Sequence, residues 1–207
     1  MRMSPRVALV IIAALFVVPL ALAWLMYTGA IEFSPHETRN RGQLVEPPVP
    51  VSWSAVRSVE TEPSDGAATE ASNLSEHWVI LRVLPGRCDE VCLADVSELR
   101  QVHRASGRQQ SRIRLALLQP AFDREMAADL LGVYPLFEVL VDRTGALTAA
   151  LSRIAGEEKP FADPTGATYL IDPLGNIMMY YEAGSDPNDL KSDLKRLLTW
   201  SKLDEQQ

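Results

Sequence analysis

Cys88 and Cys92 are the only thiols in a chain of 207 residues, and they stand four positions apart. Two cysteines are too few for a disulfide scaffold or an all-cysteine zinc site, so their closeness needs a chemical reason. Within a regular helix an i, i+4 spacing separates Cα atoms by about 6 Å, which a disulfide tolerates, so reversible pairing is feasible. The same sulfurs could hold Cu(I), because soft thiolates suit a soft cation that accepts low coordination numbers. A third reading is an inert structural bridge. Closing so short a loop removes little unfolded-chain entropy, which weighs against a purely stabilising role.

A copper reading is sharpened by histidine, and the chain has three. His103 lies eleven positions past Cys92 on the same predicted helix, roughly 16 Å along its axis, and cannot share a metal with it. His77 precedes the strand that leads to Cys88, so about seven residues at roughly 3.3 Å each put it near the opposite edge of the sheet. His36 falls in a tether. Each reads as a solvated surface histidine. Met178 and Met179 are candidate thioethers, although a strand methionine is more often packing than ligand.

Positioning the cysteines requires a strand, a turn and a helix. Residues 78 to 84, Trp-Val-Ile-Leu-Arg-Val-Leu, form a short apolar run ended by Pro85-Gly86, as expected of a buried strand. Leu93, Val96, Leu99 and Val102 then recur at a 3.6-residue period, predicting an amphipathic helix over 89 to 106. Cys88 would sit at its start and Cys92 about one turn in, where free N–H groups and the helix dipole favour thiolate. Asp89 and Glu90 oppose that charge, and Arg87 partly offsets them.

Strand, helix, strand and helix follow over 113 to 118, 123 to 131, 136 to 141 and 146 to 154. Residues 168 to 171 and 177 to 181 flank Asp172-Pro173-Leu174-Gly175-Asn176, which has the proline and glycine placement of a tight hairpin turn. Asp186 can cap a last helix with Pro187 at its first position and Leu190, Leu194, Leu197 and Leu198 on its apolar face. This order predicts an α/β, thioredoxin-like domain with a central mixed sheet flanked by helices.

Upstream, residues 7 to 27 carry no charge, and 21 helical residues at about 1.5 Å each cover the roughly 30 Å hydrocarbon core of a bilayer. Arg2 and Arg6 precede this run and the first later charge is Glu32, so the positive-inside tendency keeps residues 1 to 6 cytoplasmic and exports the rest to the periplasm. Ala21-Leu22-Ala23 would also suit a cleaved signal peptide, but Trp24-Leu25-Met26-Tyr27 continues the apolar run and favours an inner-membrane anchor. Residues 28 to 76 hold five prolines and a stretch rich in Ser, Ala, Thr and acids, and read as linker, with 40 to 45 a candidate for a short ordered piece. The domain is expected over 77 to 203. Hydrophobic residues at 47% and charged residues at 23% exclude a mostly disordered chain, and the net charge of −7 gives no electrostatic support to nucleic-acid binding.

The CxxxC after the first domain strand, followed by Asp163-Pro164-Thr165-Gly166-Ala167-Thr168-Tyr169-Leu170-Ile171-Asp172-Pro173-Leu174-Gly175, resembles the Sco/SenC family of membrane-anchored, thioredoxin-like cytochrome c oxidase assembly proteins. The anchor, Asn40-x-Gly42-x-Leu44 before Pro47-Pro48, and the run from Tyr169 to Met179 resemble a divergent, Sco-related group of proteobacterial membrane proteins associated with oxidase biogenesis. The resemblance implies that Cys88 and Cys92 bind Cu(I) for the dinuclear copper centre of oxidase subunit II, or act on its thiols, beside other assembly factors. Family members carry Asp-His-Thr where this chain has Asp163-Pro164-Thr165, so the family's copper-binding histidine maps onto Pro164. A proline nitrogen in a peptide bond cannot ligate. Thioredoxins instead place a cis-proline opposite the redox cysteines, so Pro164 would bring the chain nearer to thiol exchange. Thiol exchange, Cu(I) handling and a non-catalytic scaffold with a structural disulfide thus remain the three readings.

Overall fold

The uncharged run from residue 7 has no polar face to turn toward water, and it lies within one helix, α1, Pro5–Tyr27, that begins just before it and includes Arg6. The computed structural model describes residues 4–28, 39–59, 69–70, 74–154 and 163–201. The chain divides into two units, Met1–Arg39 and Asn40–Gln207, and each is described by itself. Among the described residues, one helix, Pro5–Leu25, is long and apolar enough to cross a membrane.

The second unit is built on an eight-stranded sheet. Counting strands in chain order, β4 (Trp78–Val83) is an interior strand, and all six of its residues are buried. It runs parallel to β5 (Ile113–Gln119), which runs parallel to β6 (Phe137–Asp142). On its other side it pairs antiparallel with β7 (Thr168–Ile171), which forms the expected hairpin with β8 (Asn176–Tyr181). Gly175 in that turn has φ +84°, a conformation that a side chain disfavours.

Strand side chains alternate, so β4 divides its apolar residues between two layers. Trp78, Ile80 and Leu84 join α2 (Glu90–Ala105), α3 (Arg124–Val133) and α5 (Pro187–Trp200), whose Val96, Leu99, Leu130, Leu190 and Leu194 close the first layer. Val79, Leu81 and Val83 face the second, where α4 (Ala146–Ile154) contributes Leu147, Leu151 and Ile154. Each such side chain contributes about 1.5–3 kcal/mol on burial.

Residues 43–59, expected within the linker, instead supply sheet. β1 (Gln43–Pro50) pairs with β8 at one border, and β2 (Val56–Val59) pairs with β6 toward the other, followed by β3 (Thr69–Glu70). The prolines that argued for a linker fit β1 because a border strand needs only one hydrogen-bonding edge, and its register shifts between Leu44 and Val49, around Pro47 and Pro48.

Val51 N–H donates to Gly175 O at 2.8 Å, while Val56 pairs with Asp142 at the opposite end of the strands. A flat sheet would place those two points well over 20 Å apart at about 4.8 Å per strand, yet five residues reach at most roughly 18 Å. The sheet therefore coils, bringing opposite corners together, and Trp53 packs against the second layer from the crossing segment.

The start of β1 is fastened to α5 through Asp193, which is 2% exposed. Its Oδ2 accepts from Arg41 N–H at 2.8 Å, Gly42 N–H at 2.9 Å and the Tyr181 hydroxyl at 3.1 Å. Gly42 is required there: a Cβ would lie 2.5 Å from the Tyr181 ring.

Candidate functional site

The site begins where β4 runs out. Leu84 N–H still bonds to Leu118 O at 2.8 Å, after which Pro85-Gly86-Arg87 leaves the sheet. Asp89 caps α2, its side chain accepting from Cys92 N–H at 3.0 Å. Cys88 therefore stands one residue ahead of the cap, just outside the helix, and Cys92 is the third helical residue. The two are joined in a disulfide with Cα atoms 5.1 Å apart. Cys92 is buried at 5% exposure among the α2 core residues, whereas Cys88 is half-buried. An incoming thiolate meets the Cys88 sulfur first and would expel the Cys92 sulfur toward the helix N-terminus, where the dipole favours negative charge.

Two features behind the pair were not foreseen. Arg82, 8% exposed on β4, donates from Nη1 to Thr168 Oγ1 at 3.1 Å and from Nη2 to Asp95, with which it forms an ion pair. Burial pulls the guanidinium pKa down, and Asp95 and Glu98 push it back up. Asp95 follows Cys92 by three residues, one turn along α2, so this pair rivets the helix to the sheet beneath the disulfide. An arginine inside an apolar strand run was the available signal.

The second feature is Met126, whose Sδ accepts a hydrogen bond from Cys88 N–H at 3.3 Å. Met126 occupies the first turn of α3, where the Asp123 cap accepts from its N–H at 3.1 Å. Gln119, fully buried at the end of β5, exchanges two 3.3 Å hydrogen bonds with the Asp123 backbone and fixes where α3 begins. Met178 and Met179 lie elsewhere. Met179 pairs across to Leu170, which pairs to Ile80, a row inside the sheet and before the β4 end that carries the sulfurs.

The segment from Asp163 to Ala167 flanks the same end of β4. Gly166 N–H donates to Val83 O at 2.8 Å, and Val83 N–H to Ala167 O at 3.1 Å. Pro164 is buried there. Among the described residues the one cis peptide bond is Glu46–Pro47, so Asp163–Pro164 is trans and does not reproduce a thioredoxin cis-proline.

The two described histidines, His77 and His103, stay away from the sulfurs. His77 precedes β4 at the far end and contacts Ser75 O through Nδ1 at 2.8 Å. His103 is in the last turn of α2, but it is 9% exposed rather than solvated, with Nε2 3.3 Å from Gln110 O. Burial lowers its pKa, while bonds to the Gln110 and Ile113 backbone work the other way. His36 lies outside the described residues. Among the described residues, no group of three or more His, Cys, Asp or Glu side chains is arranged to hold a metal.

Residues 78–201 match the family described as transmembrane-like, thioredoxin-like, C-terminal domain. No curated protein sequence matches. Among solved structures, yeast Sco1 with copper bound is 16% identical with a TM-score of 0.54, covering 76% of this chain and 99% of its own. A putative electron transfer protein from Aquifex aeolicus VF5 is 16% identical with a TM-score of 0.53, covering 72% and 96%. BsSco, described as a member of the Sco family of cytochrome c oxidase assembly proteins with a disulfide switch, is 12% identical with a TM-score of 0.51, covering 77% and 99%. At these identities the likeness is one of fold.

Proposed function

Because the chain belongs to the transmembrane-like, thioredoxin-like C-terminal domain family, we propose that it is a membrane-anchored assembly factor for cytochrome c oxidase whose working groups are Cys88 and Cys92. In this reading residues 7 to 27 anchor it in the inner membrane, and the domain faces the periplasm, an oxidising compartment that suits the disulfide. The oxidase itself comes from the Sco resemblance, supported by a fold shared with a Sco-family assembly protein.

The observation that carries the chemistry is the asymmetry of the pair: a half-exposed Cys88 outside the helix and a buried Cys92 within it. The Cys88 thiolate attacks a disulfide on subunit II or another assembly factor, forming a mixed disulfide and releasing one partner thiolate. Cys92 then attacks Cys88, closing the pair and releasing the second partner thiol, so two electrons pass to the partner. In the reduced state the two thiolates would also hold Cu(I) as cargo for subunit II.

The test uses the reduced protein and glutathione disulfide. A Cys92→Ser variant should accumulate a mixed disulfide on Cys88, and a Cys88→Ser variant should react at least tenfold more slowly. Equal reactivity of the two variants overturns the assignment of roles. Oxidase assembly that persists when both cysteines are replaced favours the scaffold with a structural disulfide instead.

A further inference from the structure

We propose that Met126 is a third sulfur ligand, completing a Cys88–Cys92–Met126 site for Cu(I). The inference rests on the copper-handling part of the function proposed above, and deepens it by naming a donor on a different helix.

The geometry is the argument. The first turns of α2 and α3 converge beyond the ends of β4 and β5, and each carries a sulfur side chain at its third position. Asp89 caps the N–H of Cys92, and Asp123 caps the N–H of Met126. The Met126 thioether already points at the cysteine loop, 3.3 Å from the Cys88 nitrogen. Both Met126 and Cys88 are partly buried against the cluster that contains Cys92. The thioether is also held in place, because Gln119 pins the start of α3 from inside the sheet. Three rotatable bonds let the sulfur swing from a backbone N–H to a metal beside it, and the freed Cys88 N–H lies in a half-exposed loop where water can take its place.

The donor chemistry selects the metal. Two thiolates and a thioether are soft and favour Cu(I), whereas carboxylates, the other anionic groups nearby, are hard and suit magnesium or calcium. Two thiolates sharing Cu(I) carry a net charge of −1, which Asp89 and Glu90 oppose less than the −2 of two free thiolates. Loading begins with reduction. A dithiol donor gives two electrons and two protons to the Cys88–Cys92 bond and is itself oxidised to a disulfide. Cu(I) then displaces the two thiol protons, and the neutral thioether joins without a proton change.

The experiment uses the full chain in detergent, reduced with a dithiol and freed of it anaerobically, then loaded with Cu(I). With selenomethionine in place of all six methionines, X-ray absorption at the copper edge should show one selenium and two sulfur neighbours. The selenium signal should vanish in a Met126→Leu variant, which conserves volume. Competition with a Cu(I) chelator should show at least tenfold weaker binding by that variant, and its melting temperature while oxidised serves as the folding control. Copper bound by sulfur alone, or a selenium neighbour that persists in Met126→Leu, overturns the Met126 assignment and leaves the cysteine pair intact. A reduced wild type that binds no Cu(I) overturns the copper function as well.

Discussion

Reducing the Cys88–Cys92 bond should cost little stability, and the size of that cost separates a working pair from a staple. The bond closes a loop whose ends are four positions apart, five residues in all. With n = 5, the chain-entropy relation gives a loss of about 7 cal/mol/K, or about 2 kcal/mol at 25 °C, against about 4.7 kcal/mol for a 100-residue loop. A domain with the usual 5–15 kcal/mol of stability survives such a loss. The same 2 kcal/mol makes the folded pair about 40 mV more reducing than the pair in the unfolded chain. The assay is thermal unfolding of the full chain in detergent, oxidised and reduced, followed by tryptophan fluorescence, to which the buried Trp78 contributes the change on unfolding along with partly buried Trp53. The melting temperature should fall by about 4–8 °C while the transition stays cooperative. Loss of the transition on reduction, or a fall beyond about 20 °C, would refute the reasoning and make the bond structural.

Three further outcomes are expected. Gly42→Ala drives a methyl group into the Tyr181 ring, where a Cβ would lie at 2.5 Å, and should cost about 1–3 kcal/mol in denaturant unfolding. Asp193→Ala strands two backbone N–H groups and the Tyr181 hydroxyl, each bond to a charged group being worth about 1.5–3 kcal/mol. β1 should then detach below the global transition, read as trypsin cleavage after Arg41 in the variant while the wild type resists; equal resistance would count against the fastening. For His103, burial lowers the folded-state pKa, so the unfolded chain takes up the proton first as pH falls. Its contribution is constant above about pH 6.5 and declines below it. The stability of a His103→Leu variant relative to wild type should therefore rise between pH 7 and 5, and a parallel pair of curves would show that His103 does not titrate on unfolding.

The interior of the domain could be read from sequence because its signals are local. An all-buried strand is a continuous apolar run, as at β4, and Asp186-Pro187 marks a helix start whatever surrounds it. The elements that escaped depend on distant partners. β1 carries prolines that look like linker until β8 provides the single edge they need. Arg82 announced itself as a charge in an apolar run, but its partner Asp95 lies on another element, thirteen positions away. His103 follows Leu99 by four residues, on the buried stripe of α2, and that spacing was the overlooked clue to its burial. Nothing within the sequence of α3 brings Met126 to Cys88; the meeting arises because parallel β4 and β5 deliver both following helices to one end of the sheet.

β1 and β2, which cover β8 and β6 from before Trp78, govern how the protein can be shortened. A fragment cut at residue 78, where the family match begins, would bare β8 and β6 together. Two rows of amides and carbonyls would then be open to pairing between molecules, and the second layer would lose Val56 and Trp53. Clumping of such a fragment would report on its raw margins and not on the cysteines. A water-soluble version that drops the apolar helix should therefore start near residue 39, so that both margins stay sealed and Asp193 keeps its partners.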